Sequence, residues 1–423
     1  MQPGKSFQES LNKMEPILII GIIIFTGFVA GELSIRIGLP KVTGYIFAGL
    51  ILNPKLTHFI PESFVVHTEL ITNIALSFIT FSVGGTLLLS KIRSLGKSII
   101  FITFFEAEFA FLFVGAAFIL FGPMIVSEPE FTYMAYFIPL ALLLGSLAAP
   151  TDPSATLAVE HQYKAKGEVT STIMGVAAFD DILGIINFSL AVSIAGICIQ
   201  HQSLGFYSIA QPFIKIFGSI IVGCLFGFFM NFIAKMVKQE TEGVLITLII
   251  GLLALCYGFA GMFGADELLS TMTMGIVVVN YNMKKDEIFK LLERYTEELI
   301  FVLFFTISAM HLDFSVMLSN YLFIIVFIVF RAVGKFSGTF VGGKISKSSL
   351  SIQKFTSGGL ISQGGIVIGL ALLIKQNPAF NSISDVILNV TIGATIVHEI
   401  VGPFIAKFVL EKAGEITLNG KSV

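Results

Sequence analysis

Apolar residues run along this chain in long blocks, parted by short polar connections. A helix that crosses a bilayer needs roughly 20 mostly apolar residues. Thirteen candidate segments are visible: 16–37, 41–54, 66–90, 98–122, 131–160, 168–198, 209–235, 243–263, 267–283, 290–311, 315–343, 352–376 and 383–410. The connections between them leave no room for a sizeable soluble domain. The first 15 residues are polar, with Lys5, Glu9, Lys13 and Glu15. The apolar run that follows is too long for a cleavable signal and lacks a small-residue cleavage site.

Composition narrows the class. Of 423 residues, 55% are hydrophobic and only 13% charged, against about a quarter charged in a soluble protein. Disordered, collagen-like and disulfide-stapled proteins are excluded, and a soluble enzyme is opposed. The expected fold is an all-α polytopic membrane protein of about 13 transmembrane helices, not an enzyme, with the lipid bilayer as its first partner. The net charge of −2 gives no footprint for nucleic acid. Cys198, Cys224 and Cys256 all lie in apolar stretches, so they read as packing residues rather than a disulfide or metal cluster. The chain has no phosphate-binding glycine loop and no zinc-type spacing, and no cofactor is expected.

Basic residues set an orientation. If the N-terminus and every second loop share one side, that side holds four Lys/Arg residues and the other nineteen, with Lys215, Arg331 and Lys335 inside spans. The positive-inside rule then places the N-terminus outside and the C-terminus in the cytoplasm, in the cell membrane. An even number of spans would erase this asymmetry.

Thirteen divides as six, one and six, which turns the second six upside down relative to the first. This is the arrangement of an inverted repeat. The irregular stretches fall at matching places. The fifth segment is interrupted by Ala149-Pro150-Thr151-Asp152-Pro153, and its counterpart carries Ser357-Gly358-Gly359 and Gln363-Gly364-Gly365. Paired interruptions of this kind point to a transport site near the midplane, where freed backbone groups line a cavity.

The strongest chemical feature is Asp180-Asp181, midway along the sixth segment. An ionised carboxylate there costs roughly 2.5–3.5 kcal/mol on insertion scales, and two adjacent ones titrate as a coupled pair. The productive use is a carboxylate that holds either a proton or a cation. Asp152 can cap a half-helix, and Thr151 adds oxygens suited to a hard monovalent cation. Arg331 and Lys335 share a helix face four residues apart and need carboxylate partners; Asp180, Asp181 and Asp152 are the candidates. Lys335 is expected to pair with Asp180, because a buried lysine titrates and an arginine does not. Arg331 is expected to be structural. His398-Glu399 in the last segment either modulates the pH response, answers Arg331, or forms a satisfied structural pair. Glu32 and Arg36 form an i,i+4 pair, and Glu106 and Glu108 receive no role.

These residues together resemble the monovalent cation:proton antiporter superfamily, in the branch of bacterial sodium/proton antiporters with paired aspartates. Ile37-Gly-Leu-Pro40-Lys-Val-Thr-Gly44-Tyr-Ile-Phe-Ala-Gly49-Leu-Ile-Leu-Asn-Pro54 is similar to its second-span signature. Phe81-Ser-Val-Gly84-Gly and Phe304-Phe305-Thr-Ile-Ser308-Ala-Met are similar to its third- and tenth-span motifs. Ala149 to Pro153 resembles its unwound helix, Asp180-Asp181 its ion-binding carboxylates, and Gly334-Lys335-Phe-Ser-Gly338 its helix-borne lysine. The resemblance implies helices 1–3 (1–97) and 8–10 (243–314) as a dimer-forming scaffold, so that a homodimer is expected. It implies a core of helices 4–6 (98–198) and 11–13 (315–423, with a short cytoplasmic tail), and a linker helix 7 (199–242). It further implies Na+ at Asp181 and Thr151, with Asp180 paired to Lys335. Pro153, Arg331 and Glu399 depart from the Asp-Asp pattern and bear on stoichiometry. The nucleotide-binding domain of some members is expected to be absent, since about a dozen residues follow the last segment. The expected activity is exchange of Na+ for H+. The alternatives are K+ (or Li+) exchange or K+ efflux on the same scaffold, and a cation channel or cation-coupled symporter.

Overall fold

A computed structural model of the chain describes residues 14–37, 41–90, 96–126, 132–152, 156, 159, 163–200, 206–236 and 242–416. Among these residues the regular elements are all helical, with no strand. Pro153, the Gly38-Leu39-Pro40 part of the second-segment motif, the polar residues 1–13 and the tail from 417 lie outside the described residues.

The first half contains α1 (Pro16–Arg36), α2 (Lys41–Ile51), α3 (Glu69–Thr86), α4 (Gly96–Ile125), α5 (Ile138–Ser146) and α6 (Glu168–Ile199). Next come α7 (Phe206–Met236), α8 (Glu242–Met262), α9 (Glu267–Tyr281), α10 (Lys285–Tyr295) and α11 (Glu297–Met310). The chain finishes with α12 (Tyr321–Ile345), α13 (Leu350–Phe355), α14 (Gly365–Gln376) and α15 (Ser384–Lys412). All thirteen apolar segments carry helix. Among the described residues, seven helices are long and apolar enough to cross a membrane unaided: α1, α4, α6, most of α7, α8, α12 and α15. Large apolar side chains such as Phe25, Phe217, Phe232 and Phe404 stay exposed. They form the surface expected of a protein solvated by lipid.

The tenth predicted segment begins later than expected. Residues 285–295 form the separate helix α10, with Ile288, Leu291 and Leu292 buried and Asp286, Lys290, Glu293 and Arg294 exposed. Its charges follow a helical stripe, so it lies along the surface and the apolar helix α11 starts only at Glu297. The expected Glu32–Arg36 pair is also replaced: Glu32 meets Lys41 at 2.9 Å, and Lys41 meets Glu298 at 2.5 Å.

Between helices in lipid, close packing rather than hydrophobic exclusion drives association, and small residues set the distance. Gly334, Gly338 and Gly342 form such a row on α12 against α4. A methyl added at Gly334 would sit 2.6 Å from the Ala110 Cα, and one at Gly342 2.7 Å from the Ile102 Cα. This contact is what brings Lys335 within reach of Glu106. Elsewhere α9 packs on α3 and α7, and α11 on α2.

Both anticipated interruptions are present. The first follows α5, where residues 147–152 leave the helix. The second follows α13: a 3-10 turn over Thr356–Leu360 gives way to irregular chain at 361–364 before α14.

Candidate functional site

Where a helix breaks, its carbonyls lose their partners, and burial makes that costly. In the first interruption four successive carbonyls find side-chain donors. Leu147 O accepts from Gln363 Nε2 at 2.7 Å and Ala148 O from Arg331 Nε at 3.0 Å. Ala149 O accepts from Lys335 Nζ at 2.7 Å and Pro150 O from Arg331 Nη2 at 3.0 Å. In the second interruption Ile361 O accepts from Arg331 Nη1 at 2.6 Å, and Ser362 O accepts from the Asp152 amide at 3.2 Å and from Arg331 Nη2 at 3.4 Å. One fully buried guanidinium therefore ties the two broken helices together. Residues of both interruptions line a cavity, as expected, while side chains take up these particular carbonyls. Arg331 is likewise bonded to backbone oxygens rather than to a carboxylate, because its planar fork of donors matches carbonyls converging from two strands of irregular chain.

Lys335 lies within ion-pair distance of Asp180, as expected, and has a second carboxylate besides. Its nearest carboxylate is Glu106 on α4, to which it donates directly, while Asp180 Oδ2 lies 3.6 Å away. Lys335 Nζ also donates to Thr151 Oγ1 at 2.8 Å, and that hydroxyl donates to Asp180 Oδ2. Thr151 thus relays between the lysine and the first aspartate. Lys335, Glu106 and Asp180 are all fully buried. Glu106 is the functional-site residue that sequence reasoning left without a role. The available signal was its place on the helix facing the Gly334/Gly338/Gly342 row. Glu108, two residues on, accepts from Asn187 Nδ2 at 3.1 Å instead.

Successive residues of a helix point about 100° apart, and the aspartate pair separates accordingly. Asp180 faces the lysine. Asp181, still 9% exposed, faces a cavity of about 280 Å³ whose walls include Thr151, Asp152 and Gly364 on one side and Val42, Ile79, Phe301 and Phe305 on the other. Glu297, at the start of α11, lies on the same cavity. That volume holds several waters at roughly 30 Å³ each. Asp152 rests against Gly364, where any side chain would collide with its carboxylate. The residues directly after Asp152, where the helix it was expected to cap would start, lie outside the described residues.

His398 and Glu399 do not form a pair with one another. His398 Nδ1 lies 3.0 Å from Gln363 Oε1, which connects α15 to the second interruption. Glu399 is fully buried, and neither carboxylate oxygen has a hydrogen-bond partner. The structure therefore gathers Thr151, Asp152, Asp180, Asp181, Arg331 and Lys335 into one cluster and sets His398 behind Gln363. Among the described residues no group of three or more His, Cys, Asp or Glu side chains has the geometry of a metal-ion site.

The fold and this cluster define a class: helical membrane proteins in which two interrupted helices meet over buried carboxylates. The chain belongs to the family described as sodium/hydrogen exchanger, transmembrane, whose model matches residues 19–412. Among its relatives is a Na(+)/H(+) antiporter of Enterococcus hirae, 23% identical over 407 residues, which cover 94% of this chain and 99% of the relative. A Na(+)/H(+)-K(+) antiporter of Bacillus cereus, GerN, is 22% identical over 358 residues, covering 83% and 86%. In overall shape the chain is similar to the sodium proton antiporter MjNhaP1 of Methanocaldococcus jannaschii. The TM-score is 0.76 at 19% identity, with 94% of this chain and 98% of that one covered.

Proposed function

We propose that the protein is a secondary antiporter that exchanges a monovalent cation, Na+ first, for H+. The observation that carries this reading is the division of labour in the aspartate pair. Asp181 faces a cavity roomy enough for several waters, while Asp180 is held inside by Thr151 and the Lys335–Glu106 pair. A carboxylate so placed can hold a proton or a cation but not both. If only the loaded site reorients, this competition alone produces exchange. Thr151 and Asp152 on the same cavity wall supply further oxygens for the ion.

The division into scaffold (1–97 and 243–314), linker (199–242) and moving core (98–198 and 315–423) belongs to the same proposal. The cavity supports it, because its walls fall on either side of that boundary: Thr151, Asp152, Asp181 and Gly364 in the core, Val42, Ile79, Phe301 and Phe305 in the scaffold. Core movement of an elevator type against the scaffold would carry Asp181 from one side of the membrane to the other. A homodimer built on the scaffold, a cell-membrane location, an external N-terminus and a cytoplasmic C-terminus complete the proposal. The last two rest on the nineteen-to-four split of basic residues.

K+ is the second reading of the cation, favoured by the K+ in the name of the Na(+)/H(+)-K(+) antiporter GerN. Proteoliposomes with an internal pH dye test both. Addition of Na+, but not of an impermeant salt, is expected to move protons in the opposite direction, and a panel of Na+, K+ and Li+ ranks the cations. Ion current without a coupled pH change would replace the antiporter with a channel.

A further inference from the structure

A second cavity, of about 330 Å³, lies at the other end of the bundle from the one that reaches Asp181. The ends are fixed by the path of the chain. Asp266 precedes α9 and Glu297 opens α11, with one apolar helix, α9, between them. Ser189 lies eight residues beyond Asp181 on α6, or about 12 Å along the axis. The second cavity is lined by Ser189, Ser193, Lys215, Asp266 and Asn377, among others, so it lies between α6 and the end of α14 on one side and α7 and the start of α9 on the other.

At this end, among the described residues, two hydrogen bonds cross the boundary between the proposed core and scaffold. Ser189 Oγ donates to Asp266 Oδ2 at 2.5 Å, and the Asp313 amide donates to Asn389 Oδ1 at 2.8 Å. Asp266 is anchored to its own helix, α9, and to the linker helix α7. Its Oδ1 accepts from the Leu269 amide at 2.8 Å, and its own amide donates to Ser219 Oγ at 2.7 Å. One carboxylate oxygen therefore holds the scaffold helix, and the other grips the core. The cavity around Asp181, by contrast, separates the two sides.

The geometry points to Ser189–Asp266 as a gate, a hydrogen bond from core to scaffold that keeps the second cavity shut off from Asp181 while the first is open. The Asp313–Asn389 contact is its companion. The inference rests on the core-and-scaffold reading. The gate must open whenever the site turns toward the second cavity, and Asp266 keeps its place as the cap of α9 as it does so.

The test needs no ion gradient, so it reads the gate even if the exchange assay fails. With Cys198, Cys224 and Cys256 replaced by alanine, Ile185→Cys places a fully buried thiol on the Asp181 side of the gate, one helical turn from Ser189. Its labelling by a membrane-impermeant thiol reagent reports opening of that end. Removing a hydrogen bond to a charged group at Ser189→Ala is expected to raise the labelling rate about tenfold. Ser189→Thr, which keeps the hydroxyl, is expected to return it to the starting rate. Asp266→Asn, which can still cap α9, carries the same expectation as Ser189→Ala in smaller measure, and it serves if the alanine variant does not fold. An unchanged or slower rate in both Ser189→Ala and Asp266→Asn, or a rate for Ser189→Thr equal to that of alanine, overturns the gate.

Discussion

Arg331→Met removes the group that makes the most hydrogen bonds to both interruptions while keeping much of the side-chain length. Ser362 O retains the Asp152 amide, but Ala148 O, Pro150 O and Ile361 O lose the partner described for them. A buried polar group left unsatisfied costs about 1–3 kcal/mol, so three give roughly 3–9 kcal/mol before relaxation. Partial water entry lowers this to about 3–5 kcal/mol, the range found on breaking a buried charged contact. A domain of 150–250 residues shifts by about 2–4 °C per kcal/mol, and this longer chain by about half that. The expected fall in melting temperature is therefore ~5 °C. The chain has no tryptophan, but Cys198 and Cys256 are buried, so a thiol-reactive dye reports unfolding in detergent. Arg331→Lys keeps the charge with a single donor group and is expected to recover only part of the loss. A melting temperature within about 1 °C of wild type for Arg331→Met would refute the claim that this guanidinium holds the two interruptions together.

Other expectations follow from the same contacts. Glu106→Gln leaves Lys335 without its direct carboxylate partner and should cost about 3–5 kcal/mol; adding Lys335→Met should cost less than the sum of the two single changes, and simple additivity in thermal melts would mean that the pair is not coupled. Gly338→Ala should drive α12 away from Phe105 and Glu106 and lower the yield of folded protein, whereas Gly243→Ala, with open space around it, should not; equal behaviour in size-exclusion profiles would count against the helix contact. At the surface, Lys55 and the Ser315 hydroxyl and amide hold Asp313 well below the usual carboxylate range. A depressed value stabilises above the unfolded pKa of about 4 and is lost as pH falls through the folded one. The stability difference between wild type and Lys55→Met should therefore narrow as pH is lowered from 7 toward 3, and a difference that widens would contradict the pairing.

Much of the fold was legible because lipid makes a long apolar block its own evidence: α1, α4 and α15 begin and end within three residues of the segments read from hydropathy. Matching irregularities in the fifth and twelfth segments were readable for the same reason, since Pro150 and the Gly358–Gly365 stretch interrupt otherwise uniform helices. Hydropathy could not mark where α10 ends and α11 begins, because Ile288, Leu291 and Leu292 continue the apolar pattern on one face only. Charge alone named the members of the site but not their partners. Lys335 was expected at Asp180, and Glu106 becomes its direct partner because the glycine row fixes how closely α12 approaches α4. Arg331 looked like a seeker of carboxylates, and only the accounting of freed carbonyls reveals why it finds backbone instead.

The central claim is that Na+ and H+ compete for Asp181, and binding measured against pH tests it most directly. For one shared carboxylate, the apparent affinity for Na+ should weaken about tenfold for each unit of pH below the value at which the site loses its proton. Isothermal titration of the purified protein is expected to show this slope, and Asp181→Asn is expected to abolish the binding. An affinity independent of pH across the working range, or Na+ binding that survives in Asp181→Asn, would contradict the account.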